Sequence, residues 1–204
     1  MSAHRVADIE ALEHLYAAPA DMSLAKETPV INAEYRALIE AAPFLAIATI
    51  GPEGMDCSPR GDGPGFVRIL DEWTVAIPDR RGNNRLDTLR NIVRDPRVAL
   101  LLMIPGLNET LRINGSAIVS TDPELLISMA EHGKAPVTAI VVTIETMYFQ
   151  CARALKRSRL WEAEVQVDPK TLPSAGQLTR SVVSTFDADA YDADLHERQA
   201  NTLY

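Results

Sequence analysis

The chain has 204 residues, with 20 Lys plus Arg against 28 Asp plus Glu, a formal net charge of -8 and 47% hydrophobic residues. A chain of this length buries roughly 70% of its unfolded surface, which excludes a disordered or fibrous protein, and the acidic balance opposes a duplex nucleic-acid partner, which needs a basic face. Asp8, Glu10 and Glu13 interrupt the first twenty residues and no later stretch approaches the ~20 apolar residues of a membrane span, so a cytoplasmic protein without a membrane partner is expected.

Val6, Ile9, Leu12 and Leu15 recur at helical spacing until Pro19, and residues 20–31 read as a linker. Together, residues 1–31 form an N-terminal helix and linker ahead of one domain over 32–204. Asn32 caps a helix through Ala42, with Tyr35, Leu38 and Ile39 on its apolar face. From Phe44 the texture changes to short runs rich in Val, Ile, Leu and Thr, punctuated by Gly, Pro and Asp. Strands are expected at 44–50, 66–70, 73–77, 97–104, 110–120 and 138–150. The turn Gly51-Pro52-Glu53-Gly54 leads into a further extended stretch, Met55 to Arg60, and Asp71-Glu72 closes a second hairpin.

Leu86 to Val93 is a helix inserted among the strands, its face formed by Leu86, Leu89, Ile92 and Val93, and Asp122-Pro123 starts another through Glu131. The tail from Asp187 reads as a final helix. Helices do not alternate with strands, so the pattern predicts an antiparallel β-barrel with peripheral helices and excludes a doubly wound dinucleotide fold.

Cys57 and Cys151 lack the spacing of a disulfide framework or zinc site, and both are expected as free thiols. His4, His14, His132 and His196 are scattered, so no metal site is expected. No Ser-His-Asp or Cys-His set and no acid–base carboxylate pair emerges from spacing. Any chemistry therefore falls to a cofactor.

Three clusters remain. Asp79 to Arg85 places three arginines, two asparagines and a glycine between a strand and a helix start, where unpaired amides and guanidinium forks suit a phosphomonoester. The same residues also suit a solvated loop with an Asn cap. Cys57 to Gly65 carries three glycines and two prolines, which fit either close approach of a planar ligand to the backbone or an ordinary turn-rich loop. Cys151 to Trp161 places four cations in Arg153, Lys156, Arg157 and Arg159 ahead of Trp161, either an anion site with a flat aromatic surface or a cationic helix face.

Taken together, these segments resemble the pyridoxamine 5'-phosphate oxidase-like split-barrel flavoproteins, and more narrowly a bacterial FMN-dependent subgroup of them. The resemblance runs over roughly 30–204, through Phe44 to Thr49, Ser58-Pro59-Arg60-Gly61-Asp62, Ile77-Pro78-Asp79, Gly82-Asn83-Asn84-Arg85 and Asp95-Pro96-Arg97-Val98. It continues through Ile104-Pro105-Gly106, Glu109 to Gly115 and Lys156 to Trp161. It implies a six-stranded antiparallel split barrel that forms a homodimer with FMN at the interface and has oxidoreductase activity on a small molecule, the alternative being a non-catalytic flavin-binding or storage protein. Ser58, Pro59 and Arg60, with Ile77 and Pro78, would lie along the flavin, and Asn83, Asn84 and Arg85 would hold its phosphate. Thr110 and Arg112 would come from the partner, with Lys156, Arg157, Ser158 and Trp161 completing the site. Oxidases acting on pyridoxamine phosphate carry a C-terminal strand with a phosphate-gripping arginine, where this chain has the helical-looking Arg198 to Tyr204, a departure that leaves that vitamin reaction open.

Overall fold

A computed structural model describes residues 4–204. Its elements in chain order begin with α1 (Ile9–Glu13), α2 (Asp21–Ala25), α3 (Ala33–Ala41), β1 (Phe44–Gly51), β2 (Gly54–Gly61), β3 (Arg68–Ile69) and β4 (Thr74–Asp79). They continue with α4 (Asp87–Arg94), β5 (Arg97–Met103), β6 (Thr110–Ser120), α5 (Pro123–Ser128), β7 (Thr138–Gln150) and α6 (Arg153–Ser158). After two 3-10 turns come α7 (Ala175–Val182), α8 (Ala188–Ala193) and α9 (Leu195–Asn201).

All seven strands join one antiparallel sheet in the order β2-β1-β5-β6-β7-β4-β3. Alternation builds its inner face: Leu45 and Ile47 of β1, Val98, Leu100 and Leu102 of β5, and Leu111 and Ile113 of β6 are buried in one cluster. On β7 the inward positions run Ile140, Val142 and Ile144, then shift to Met147, because the β6–β7 register slips at Asn114/Gly115. Gly115 sits at that slip, where a Cβ would collide with the backbone carbonyl of Thr143. The sheet is rolled but not closed. Arg60 on the edge strand β2 and Asp79 on β4 approach to 3.4 Å across the opening, yet no ladder joins the two strands.

Tyr35 and Ile39 of α3 close one side of the core, with Asn32 Oδ1 accepting from the Tyr35 amide as its cap. Ala76, Ala139 and Met129 form a second, smaller cluster where α5 covers the outer face of β4 and β7.

The split-barrel class holds, with seven strands in place of six. The expected strand over 66–70 contracts to the two residues of β3, because Phe66 and Val67 enter the core from a loop. The expected linker holds the short helix α2 and a bridge from Thr28 to Met147. The expected single C-terminal helix is two, broken at Asp194, whose αR backbone ends α8 and starts α9. On α4 the apolar face is narrower than its spacing suggests. Ile92 is buried, but Leu86 and Val93 are exposed, and the helix seats Thr88 and Asn91 against β1 and β2. Asn91 Nδ2 donates to Thr49 Oγ1 at 3.2 Å, both groups being buried, so a hydrogen bond takes the place of an apolar contact.

Among the described residues no helix is long and apolar enough to cross a membrane, and no cluster of three His, Cys, Asp or Glu is placed to hold a metal ion. Cys57 and Cys151 are exposed free thiols.

Candidate functional site

The opening between β2 and β4 widens into a cavity of about 940 Å³, floored by the two strand ends and walled by α4 and the loop before β7. On β2 the period of two sends Asp56, Ser58 and Arg60 to the cavity side, in register with Thr49, Ile47 and Leu45 of β1. Pro59 is tolerated because β2 is an edge. Pro78 pairs only toward β7, since the β3–β4 ladder ends at Ala76.

The opposite wall is the turn into α4. Asn84 and Leu86 both have left-handed backbones, at φ 59° and 61°. Asn accepts that conformation readily, whereas for Leu it costs roughly 1–2 kcal/mol. Leu86 is also the N-cap of α4 and offers no side-chain cap, so the first-turn amides of Asp87, Thr88 and Leu89 keep free donors where these residues line the cavity. Asn83 Oδ1 accepts from the Arg85 amide at 3.1 Å and pins the turn. Arg85 Nε donates to Asp87 Oδ2 at 2.7 Å, which raises the guanidinium pKa further, first through that hydrogen bond and then through the charge of Asp87.

Asp56 ties the two walls together. Its carboxylate accepts from the Ser58 hydroxyl at 3.0 and 3.1 Å and from the buried Thr88 hydroxyl of α4 at 2.5 Å. The Ser58 proton is thereby committed, leaving its oxygen lone pairs for a donor in the cavity.

Five cations, Arg60, Arg80, Arg81, Arg85 and Lys134, face Asp56, Asp79 and Asp87, with Asp62 paired to Arg80 behind them, so the cavity keeps a small cationic excess in an acidic chain. Asp79 sits partly buried beside Arg60. Burial raises its pKa above the ordinary value, and the Arg60 charge only partly opposes this. Two buried polar atoms of this wall have no partner, Nε of Arg60 and Oγ1 of Thr138, whose residue pairs with Asp79 across β4 and β7. Native interiors satisfy nearly all such groups through protein, water or a bound molecule, so these two atoms add free polar capacity to the cavity wall.

Of the residues singled out in the sequence, the structure brings Ser58, Pro59, Arg60, Pro78, Asn83, Asn84 and Arg85 together around the cavity. Ile77 is not among them. It faces inward on β4 opposite Ile140, fully buried in the core. Thr110, Arg112, Lys156, Arg157, Ser158 and Trp161 also lie outside the cavity. Thr110 pairs with Gln150 at the end of the β6–β7 ladder away from Thr138, and its neighbour Leu111 stands three strands from Arg60 through the register Arg60–Leu45–Leu102–Leu111. Arg112 instead stacks its guanidinium 5.4 Å from the Tyr148 ring, and the Trp161 indole donates to the Leu107 carbonyl at 2.8 Å. Lys156, Arg157 and Ser158 lie on the exposed α6.

Sequence reasoning missed Asp56, Thr88, Lys134, Thr138 and Tyr204. A signal existed for Asp56, because Asp56, Ser58 and Arg60 repeat at the period of a strand. For the other four the signal is only tertiary.

Among solved structures, the chain is similar in fold to HupZ of Group A Streptococcus, at 16% identity over 58% of this chain and 93% of that one, with a TM-score of 0.48. General Stress Protein 26 of Bacillus anthracis follows at 13% identity, 56% and 88% coverage and a TM-score of 0.44. A NimC/NimA family protein of Clostridium acetobutylicum shows 15% identity, 59% and 95% coverage and a TM-score of 0.41. No curated protein matches the chain. Residues 31–151, from just before α3 to just past the end of β7, match the family described as pyridoxamine 5'-phosphate oxidase. With more than half of its length so matched, the chain belongs to the pyridoxamine 5'-phosphate oxidase family.

Proposed function

We propose that the cavity between β2, β4 and α4 holds FMN and that the protein is an FMN-dependent oxidoreductase acting on a small substrate. The observation that carries this reading is the pair of unpartnered buried polar atoms, Arg60 Nε and Thr138 Oγ1, on a cationic cavity bounded by an uncapped helix start. The donor set fits the group. The free amides of α4 with Asn83, Asn84, Arg81 and Arg85 suit a phosphate, and the β2 rim, with Ser58, Pro59 and Arg60, suits the polar edge of a planar ring system. When bound, FMN supplies reversible two-electron transfer, and the protein's part is to hold, orient and shield it. Arg60 would place positive charge beside the ring, and Asp56 would hold the Ser58 hydroxyl as an acceptor.

The site would be completed by a second copy of the chain. Thr110, Arg112 and the Lys156 to Trp161 segment do not line the cavity of their own chain; in a shared site they would serve the cavity of the partner. Equilibrium titration with FMN and riboflavin, combined with steady-state assay using a nicotinamide donor and an electron acceptor, tests the reading. Tighter binding of FMN than riboflavin and sustained turnover are expected. Failure to bind FMN removes the proposal.

A further inference from the structure

Tyr204 lines the same cavity but has no part in the flavin site as described. Its hydroxyl donates to Asp62 Oδ1 at 2.7 Å, across 142 residues of sequence. That oxygen also accepts the Gly63 amide at 2.8 Å, and Asp62 Oδ2 accepts from Arg80 Nε at 2.8 Å. Arg80 in turn donates from Nη1 to the Met129 carbonyl at 2.8 Å, and its guanidinium lies 5.7 Å from the Tyr204 ring centroid. On the remaining side, Lys134 Nζ donates to the Tyr204 carbonyl at 3.0 Å and the His132 ring packs edge-on at 4.9 Å. One residue thus joins the loop after β2, the end of β4 and the segment between α5 and β7.

We propose that Tyr204 is a positioning residue for the cavity, a latch that orders the Asp62 loop and the Asp79–Arg81 strand end and thereby slows release of the bound ligand. The ligand part rests on the FMN reading; the ordering part does not. Asp62 and Arg80 are largely withdrawn from water, with side chains 6% and 15% exposed, so the carboxylate depends on its full set of hydrogen bonds. The loop it belongs to, Gly61 to Gly65, carries three glycines and has little order of its own. Arg60 and Arg81 flank Asp62 and Arg80 in the chain and line the cavity, so loosening the pair reaches the groups assigned to the ligand. Removing the Tyr204 hydroxyl leaves the Asp62–Arg80 charges paired and should loosen the loop without unfolding the barrel.

The test compares wild type, Tyr204→Phe and Lys134→Ala by amide hydrogen exchange in the absence of flavin, then by FMN release in stopped flow. Tyr204→Phe should speed exchange of the hydrogen-bonded Asp62, Gly63 and Phe66 amides by about tenfold while amides of α3 and β5 keep their wild-type rates, and should speed FMN release several-fold. Lys134→Ala, which removes a contact at the other side of Tyr204, should act in the same direction with a smaller effect. Unchanged exchange at Asp62, Gly63 and Phe66, or faster exchange with unchanged FMN release, overturns the proposal. If wild type binds no FMN, the flavin reading fails, and the exchange comparison alone decides for or against the latch.

Discussion

Thr138→Val separates a structural from a ligand-binding role, because the two predict effects of opposite sign. Thr138 Oγ1 is buried with no hydrogen-bond partner among the described residues. Such a group costs about 1–3 kcal/mol, and valine fills nearly the same volume with a good strand propensity. Thr138→Val should therefore stabilise the ligand-free protein by about 1 kcal/mol, which for a chain of this size raises Tm by roughly 2–4 °C. If FMN supplies the missing partner, the same substitution removes one neutral hydrogen bond, about 0.5–1.5 kcal/mol, and weakens FMN binding roughly two- to twelvefold. Chemical denaturation with and without FMN measures both effects in one series. A ligand-free variant destabilised by about 1 kcal/mol or more, or FMN binding equal to wild type, would refute the reasoning.

Arg85→Ala should weaken FMN about tenfold and leave riboflavin unchanged, since the guanidinium must leave Asp87 for the phosphate; equal effects on both flavins in parallel titrations would place the phosphate elsewhere. Gly115→Ala should cost about 3 kcal/mol or more in urea denaturation, because a Cβ there meets the Thr143 carbonyl at the β6–β7 bulge and neither strand can move independently. Asp95 should titrate at about 2 by carboxyl-carbon NMR, held down first by the Arg97 side-chain hydrogen bond and then by the Arg97 amide. Its folded pKa lies below the ordinary 3.8, so the stabilisation it gives is present above that value and is lost as pH falls toward 2. Arg97→Ala should move the Asp95 titration back toward 3.8; a midpoint that stays near 2 would show that the side chain is not the cause.

The barrel was legible where a local rule fixed it. Asn32 capped α3 as its position indicated, and the alternation of β5 and the first half of β6 marked their inner faces. That Gly82 to Arg85 would gather in one wall of the cavity was legible too, because the run combines turn residues with cations directly before a helix. Ile77 was misplaced because a run in which four successive residues are buried, Val75 to Pro78, gives no phase to say which side chains face a site. On α4 the apolar periodicity named Leu86 and Val93 as core, whereas buried hydrogen bonds from Thr88 and Asn91 set the helix rotation. Thr138 and Tyr204 carried no local signal at all. Their place depends on the β4–β7 register and on a contact between residues 62 and 204.

Whether FMN occupies the cavity between β2, β4 and α4 is read from amide hydrogen exchange with and without saturating FMN. Bound in the cavity, FMN should concentrate protection in 58–61 and 79–89, with a second set at 110–112 and 156–161 from the neighbouring copy. Exchange in 58–61 and 79–89 that FMN leaves unchanged would contradict that placement.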